Sequence, residues 1–244
     1  MNEYTEAQII SVKIENPSVS SFEIKPLPPR FAERKAGQYL LLKIKKENEW
    51  SEPHPFTITS RLSEDFVGIT VKKLGKFTNI LHSIKPPAPV MIQGPLGKFA
   101  DNVIKDNKSI FIAGGIGITP FISILDYLAY SKSSAKIILF WANENIEDLF
   151  YLDQLHDLSK KINLKIILVI NNLDKNKIKN KYSFDWKNGY LTRETLSEYI
   201  IDQTTKFYMC GSPNMQKYLF AQLELLKIVP AMIDTEKFGI YMGK

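Results

Sequence analysis

Ile110-Phe111-Ile112-Ala113-Gly114-Gly115-Ile116-Gly117-Ile118-Thr119-Pro120 is the stretch that decides how the chain is read. Its apolar run is continuous and ends in glycines, as in a strand buried on both faces. The three glycines let the backbone turn sharply and let a bulky ligand come close. Thr119 stands where a helix N-cap belongs. Pro120 follows at the first helical position, where a missing N–H costs nothing. Phe121, Ile124, Leu125 and Leu128 then give that helix an apolar face. Strand, glycine turn and helix start together offer unpaired N–H groups and the positive end of a helix dipole, a setting that suits a diphosphate. A plain tight turn is the competing reading, because Pro120 occupies the place of the third glycine of a dinucleotide fingerprint.

Downstream of Ser109, continuous apolar runs recur at 137–141, 164–170 and 207–210. Between them, helical spacing predicts helices over 121–130, 147–161, 192–201 and 213–227. Alternating strands and helices of this kind predict a parallel sheet covered on both faces. Such sheets bind ligands beyond the C-terminal ends of their strands. The turn at 114–117, Ala142-Asn143-Glu144-Asn145 and Cys210-Gly211-Ser212-Pro213 all fall there. A carboxylate at Glu144 can accept hydrogen bonds from a ribose diol and repels a 2′-phosphate. Glu147 and Asp148 are read as complementing the dipole of the next helix. The segment 171–189, rich in Lys and Asn, is expected to be a mobile surface excursion outside any site.

Upstream, short strands are expected at 7–14, 20–25, 39–44, 56–60, 67–72 and 90–93, with one helical insertion at 77–83. Prolines at 26, 28, 29, 86, 87 and 89 and the charged loop 45–52 punctuate them. Six strands without a long helix between them predict a small antiparallel barrel. The polar stretch 101–108 carries the expected boundary between a domain of residues 1–101 and one of 102–244. In 244 residues, 44% hydrophobic and 24% charged, two ordinary globular domains fit comfortably.

The composition also sets bounds. No apolar run approaches the ~20 residues of a membrane span, and Met1–Glu6 lacks the basic start and apolar stretch of a signal peptide. Stable membrane insertion is therefore not expected, and the cytoplasm is the default compartment. A single cysteine, Cys210, excludes internal disulfides and any cysteine-ligated iron–sulfur cluster carried by this chain alone. The net charge of +6 is spread without a long basic block, so nucleic acid is not an expected partner, whereas an acidic protein or anionic substrate remains one. No metal site is read, and a monomer is expected. His82 and His156 stand alone on predicted helices and read as packing or surface residues.

Three more pieces complete the set of motifs. His54-Pro55-Phe56-Thr57 leads a strand that places an aromatic face and a hydroxyl on opposite sides. Lys72-Lys73-Leu74-Gly75-Lys76-Phe77-Thr78 runs from a strand through a glycine into a helix start, offering main-chain donors and the Thr78 hydroxyl to an anion. Gly94-Pro95-Leu96-Gly97 reads as a tight turn closing the strand region. In isolation these are an edge strand, a capped helix and a turn. In this order and spacing, with Ala36-Gly37-Gln38-Tyr39 upstream and Gly-Gly-x-Gly-x-Thr-Pro downstream, the set resembles the ferredoxin-NADP reductase superfamily. His-Pro-Phe-Thr in place of Arg-x-Tyr-Ser resembles its ferric reductase and NADPH oxidase branch.

The resemblance implies FAD on the barrel, NADH or NADPH on the sheet, with the Glu144 carboxylate favouring NADH, and hydride transfer between them. Phe56 would lie against the isoalloxazine and Thr57 would offer its hydroxyl near flavin N5. His54 and Pro55 would lie beside them, with His54 standing for an arginine that usually holds the diphosphate. A neutral imidazole is a weaker diphosphate partner than a guanidinium, so looser flavin retention is expected. Val71, Lys72, Gly75, Lys76, Phe77 and Thr78 would complete the flavin side. Gly114, Gly115, Gly117, Thr119, Pro120, Glu144, Cys210 and Gly211 would serve the nicotinamide nucleotide. Cys210 and Glu236 would sit by the nicotinamide, and Phe238 would cover the flavin face, with Tyr241 as runner-up. The acceptor stays open between a ferric chelate, free flavin and a small redox protein. A non-catalytic flavin-binding redox sensor, or an electron-transfer subunit of a larger complex, is compatible with the same motifs.

Overall fold

The structure is a computed structural model that describes residues 3–46, 49–178, 181–200 and 204–236. Seven antiparallel strands form the first half: β1 (Thr5–Asn16), β2 (Val19–Lys25), β3 (Tyr39–Lys46), the two-residue β4 (Glu49–Trp50), β5 (His54–Thr57), β6 (Val67–Lys72) and β7 (Ala88–Leu96). Their order is β4-β3-β7-β1-β2-β6, with β5 also on β3. A bridge between Ile58 and Ile69 joins the end of β5 to β6 and closes the sheet on itself. Along β3, Leu40, Leu42 and Ile44 point inward and are fully buried. Lys43, between them, lies on the other face, the period-two signature of a one-sided sheet. Helix α1 (Lys76–Ser83) covers this core with Phe77 and Leu81.

The second half is a six-stranded parallel sheet in the order β11-β10-β9-β8-β12-β13. Its strands are β8 (Lys108–Gly114), β9 (Lys136–Asn143), β10 (Leu164–Ile170), β11 (Asp185–Asn188), β12 (Lys206–Cys210) and β13 (Ile233–Thr235). Helices α2 (Thr119–Tyr130), α3 (Leu152–Ser159), α4 (Arg193–Ser197) and α5 (Pro213–Leu225) flank it. Alternate residues of each strand feed two separate cores. Phe111, Leu139, Trp141, Leu168 and Tyr208 pack with α2 and α3. Ile110, Ile112, Phe140, Val169 and Met209 pack with α4 and α5. Two covered faces are why the strand sequences are continuously apolar. Strand order reverses beside β8, since the chain runs out through β9, β10 and β11 and returns to β12. The crevice at the C-terminal ends of β8 and β12 is therefore a topological switch point.

Some local expectations give way. The predicted helix over 147–161 is two pieces, a 3₁₀ turn at Ile146–Asp148 and α3. They are parted where Leu149 and Phe150 turn into the core and Tyr151 adopts left-handed backbone at φ 60°. Thr119 is not the N-cap. A 3₁₀ turn over Gly115–Ile118 runs straight into α2, so Ile118 caps, Thr119 is the first helical residue and Pro120 the second. Pro120 still sits among the N–H groups that a helix leaves unpaired. The strand expected at 56–60 is His54–Thr57, with His54 and Pro55 inside it. Gly94-Pro95-Leu96 is no turn. β7 continues to Leu96 across a bulge opposite Tyr39–Leu41, with Gly94 at φ 150°. The segment 171–189 is not a mere surface excursion, since it contains β11.

The halves are joined by polar contacts. Thr119 Oγ1 donates to Thr57 Oγ1 at 3.2 Å, and the Gly37 N–H donates to Ser123 Oγ at 3.3 Å. Asn16 Nδ2 donates to the Asp148 carbonyl at 3.2 Å, and the Tyr151 hydroxyl pairs with Thr70. No helix among the described residues is long and apolar enough to cross a membrane.

Candidate functional site

One cleft of about 1140 Å³ runs between β5, β6 and α1 on the barrel side and the C-terminal ends of β8, β9, β10 and β12 on the sheet side. Pockets for a single drug-sized ligand run to about 300–1,000 Å³, so this cleft has room beyond one such group. His54, Pro55, Phe56, Thr57, Val71, Lys72, Gly75, Lys76, Phe77 and Thr78 line its barrel wall. Gly114, Gly115, Gly117, Thr119, Glu144, Cys210 and Gly211 line the other. Pro120 is buried behind the wall in α2.

On the barrel side the aromatic groups are ordered against one another. The His54 ring lies flat on Phe77, with centroids 3.8 Å apart, and Phe56 is 6.0 Å from Phe77. His54 Nδ1 is 3.1 Å from the Glu52 carbonyl, which leaves Nε2 for a ligand. The Thr78 hydroxyl is not free as expected from sequence. It accepts the N–H groups of Leu74 at 2.9 Å and Gly75 at 3.0 Å, folding the loop back on the helix start. The N–H groups of Lys76, Phe77 and Thr78, which a helix cannot pair internally, are what α1 can offer an anion.

On the sheet side the glycines have different jobs. A Cβ on Gly117 would stand 2.3 Å from the Cys210 carbonyl oxygen, and one on Gly114 would stand 2.1 Å from Met215 Sδ. Both positions serve the close packing of the glycine turn against β12 and α5. Of the three glycines of the turn, Gly115 alone, at φ 52° with nothing within 4 Å of where a Cβ would stand, opens onto free space. The Gly115 carbonyl accepts from Trp141 Nε1 at 2.9 Å, and the Ile116 carbonyl from Thr119 Oγ1 at 3.1 Å. The carbonyl side of the turn is thus tied down, and its N–H groups remain as donors. Asn143, in the same wall, has a buried Nδ2 with no partner among the described residues. An orphan donor and an open glycine cradle fit a phosphate-bearing, hydroxyl-rich ligand.

Two domain families account for this architecture in chain order. The FAD-binding domain matches residues 4–110, and the oxidoreductase NAD-binding domain matches residues 111–220. The chain belongs to the ferredoxin-NADP reductase superfamily. A Neisseria gonorrhoeae ferredoxin NADP+ reductase with bound FAD and NADP superposes with a TM-score of 0.79 at 19% identity, covering 97% of this chain and 99% of that one. The Bacillus subtilis flavohemoprotein is 25% identical over 97% of this chain and 60% of its own length, so the chain spans about three fifths of that relative. The sulfhydrogenase 2 subunit gamma of Pyrococcus furiosus is 27% identical over 91% of this chain and 80% of its own. The two halves of this superfamily member are those of an FAD-dependent NAD(P)H oxidoreductase.

Within this reductase fold, Cys210 ends β12 at 1% exposure. Burial first, and then the Glu236 carboxylate, push its thiol well above its ordinary pKa, so it is a neutral group at physiological pH. Glu236 lies outside the cleft lining but close behind it. Its N–H donates to the Met209 carbonyl at 3.0 Å, and Gln216 Nε2 staples the Glu236 and Gly211 carbonyls, each at 3.0 Å. Phe238 and the runner-up Tyr241 lie outside the described residues. Lys72 forms a 3.4 Å ion pair with Asp148 across the cleft, tying barrel wall to sheet wall.

Sequence reasoning missed the far end of the cleft. Asn171, Gly189, Tyr190 and Leu191 line it, as do Met215, Tyr218 and Leu219 of α5. The first four come from in or beside the segment read as an excursion. The alternation Tyr182, Phe184, Trp186 was the signal that a half-buried strand lay there. Tyr190 and Tyr218 face each other at 6.4 Å between ring centroids at the rim.

Proposed function

We propose that this chain takes hydride from NADH onto FAD held by the barrel domain, residues 1–101, with the nucleotide held by residues 102–244, and passes the electrons to a separate acceptor. The observation that carries this is the single cleft shared by His54–Thr57 and Gly114–Gly117. FAD supplies a two-electron acceptor that can release its electrons singly. Phe56, Phe77 and His54 provide an aromatic wall for the ring system, and the first N–H groups of α1 provide diphosphate donors. Thr57, buried and receiving the Thr119 hydroxyl, keeps a fixed hydroxyl at the junction where the two rings would meet. The turn at Gly115–Ile118 and the Asn143 amide bind the nicotinamide nucleotide, and Cys210 packs beside the nicotinamide as a neutral thiol. Phe238 is assigned as the ring that covers the flavin until nicotinamide displaces it. Glu144 favours NADH, because a carboxylate accepts from a ribose diol and repels a 2′-phosphate.

The acceptor is a one-electron or flavin-type oxidant: a ferric chelate, free flavin or a small redox protein. The net charge of +6 favours an acidic protein surface. The strand His54-Pro55-Phe56-Thr57 supports placement near the ferric reductase and NADPH oxidase branch. A second reading, an electron-transfer subunit of a larger complex, is favoured by the match to the sulfhydrogenase gamma subunit. Anaerobic titration of the FAD-loaded protein with NADH, then with NADPH, tests the proposal. Visible flavin absorbance should bleach within seconds with NADH and more slowly with NADPH. A flavin that stays oxidised would leave a passive flavin-binding module, and a protein that takes up no FAD would end the reading altogether.

A further inference from the structure

Glu144 is exposed at the end of β9, where an unrestrained glutamate side chain would sample many rotamers. It does not stand alone. Asn171 Nδ2 donates to Glu144 Oε1 at 2.8 Å, and Asn172 Nδ2 donates to the same oxygen at 2.9 Å. Both amides are themselves held in place, because the pairing of β9 with β10 continues beyond the strand ends. The Asn171 N–H donates to the Asn143 carbonyl at 3.0 Å, and the Asn172 N–H to the Glu144 carbonyl at 2.9 Å. Asn171 Nδ2 also lies 3.3 Å from the Tyr190 hydroxyl, and Asn172 Nδ2 lies 3.4 Å from Asn145 Oδ1. The Leu173 N–H donates to Asn188 Oδ1 at 3.2 Å, anchoring the next residue to the end of β11.

Two neutral donors on one carboxylate oxygen have two consequences. They orient the group while leaving its charge uncompensated, and they leave Oε2 without a hydrogen-bond partner among the described residues. In the segment that follows, Lys177 is paired with Glu147 at 2.5 Å and Lys181 with Asp153 at 2.5 Å. A fixed anionic oxygen with no cation paired to it among the described residues is a receptor for a vicinal diol and a barrier to a phosphate.

We propose that Asn171 and Asn172 are positioning residues for nucleotide choice: they clamp Glu144 so that its free oxygen accepts the adenosine ribose diol of NADH. This rests on the NADH reading of Glu144 given above. Ordering the carboxylate before the ligand arrives removes an entropy cost from binding, which affects affinity rather than the chemical step. Asn172 is the cleaner of the two to change, because it is exposed and does not line the cleft.

The test uses the FAD-loaded protein, NADH and NADPH as separate donors and ferricyanide as acceptor, for Asn172→Ala, Asn172→Asp, Glu144→Gln and the double variants. Asn172→Ala should raise the KM for NADH by about 3- to 10-fold, with kcat and Tm unchanged and the KM for NADPH little moved. Asn172→Asp, isosteric but repelling the carboxylate, should raise it further. Both effects should vanish in the Glu144→Gln background. If Glu144→Gln shifts the NADH-to-NADPH ratio while the Asn172 variants leave the NADH KM unchanged, the clamp is wrong and the nucleotide reading stands. If Glu144→Gln leaves that ratio unchanged, the nucleotide reading falls and the clamp falls with it.

Discussion

Gly117→Ala and Gly115→Ala should fail in opposite ways, although the two glycines are two residues apart. At Gly117 the new methyl would stand 2.3 Å from the Cys210 carbonyl oxygen, 2.7 Å from its carbonyl carbon and 3.0 Å from the Gly211 nitrogen. All three are main-chain atoms, so no side chain can swing away. Reaching ordinary contact near 3.5 Å requires the turn and the end of β12 to part by about 1 Å. Ala113 and Cys210 are paired on neighbouring strands there, so the last rung of the β8–β12 ladder is strained. Overpacking of about 1–3 kcal/mol and a weakened hydrogen bond of about 1 kcal/mol together give roughly 2–4 kcal/mol. For a chain of this size that lowers the melting temperature by about 4–15 °C. At Gly115 the methyl meets nothing within 4 Å, and the cost is the left-handed backbone at φ 52°, about 1–2 kcal/mol. That methyl, however, projects into open space where the nucleotide is assigned, so the KM for NADH should rise by about tenfold or more. Thermal unfolding followed by fluorescence, with steady-state kinetics on the same preparations, separates the two. A Gly117→Ala protein that melts at or above Gly115→Ala would refute the assignment of Gly117 to strand packing. An unchanged KM in Gly115→Ala would refute the nucleotide cradle.

Thr119→Val removes the buried hydroxyl that donates to Thr57 at 3.2 Å. It should cost about 1–2 kcal/mol by denaturant titration, with Thr119→Ser close to wild type; a loss in Thr119→Ser with none in Thr119→Val would argue that the methyl, not the hydroxyl, matters. Glu144→Arg should move the ratio of kcat/KM values at least tenfold toward NADPH, and a ratio that stays put would detach Glu144 from nucleotide choice. Burial raises the Cys210 thiol pKa above its ordinary value near 9.0, so the folded state holds a proton there that the unfolded state loses. The sign follows: this contribution is whole below about pH 9 and is lost as pH rises toward the folded pKa. Melting temperature should therefore fall on going alkaline, and Cys210→Ala should flatten part of that slope. An identical slope in both proteins would remove Cys210 from the account.

What the sequence made legible follows the strength of its local constraints. Continuous apolar runs at 110–113, 137–141, 164–170 and 207–210 announce strands covered on both faces, and each is one. The barrel was readable because Leu40, Leu42 and Ile44 sit two apart, as inward-facing strand residues must, and prolines mark the strand ends. The missed details depend on distant partners. Nothing near Thr119 in the chain says that its hydroxyl bonds Thr57, 62 positions away, so N-cap chemistry looked sufficient. The break at Tyr151 was hidden for the same reason, since its hydroxyl is drawn to Thr70 on the barrel and the local pattern favoured one long helix. The segment 171–189 was misjudged on composition: Lys177 and Lys181 are surface groups paired to Glu147 and Asp153, but Asn171 and Asn172 grip Glu144. Charge density marks a solvated segment, yet it carries no information about which side chains turn back toward a strand end. Main-chain pairing does: just past β10 the N–H groups of Asn171 and Asn172 still donate to the Asn143 and Glu144 carbonyls, and that pairing, rather than polarity, makes the segment part of the site.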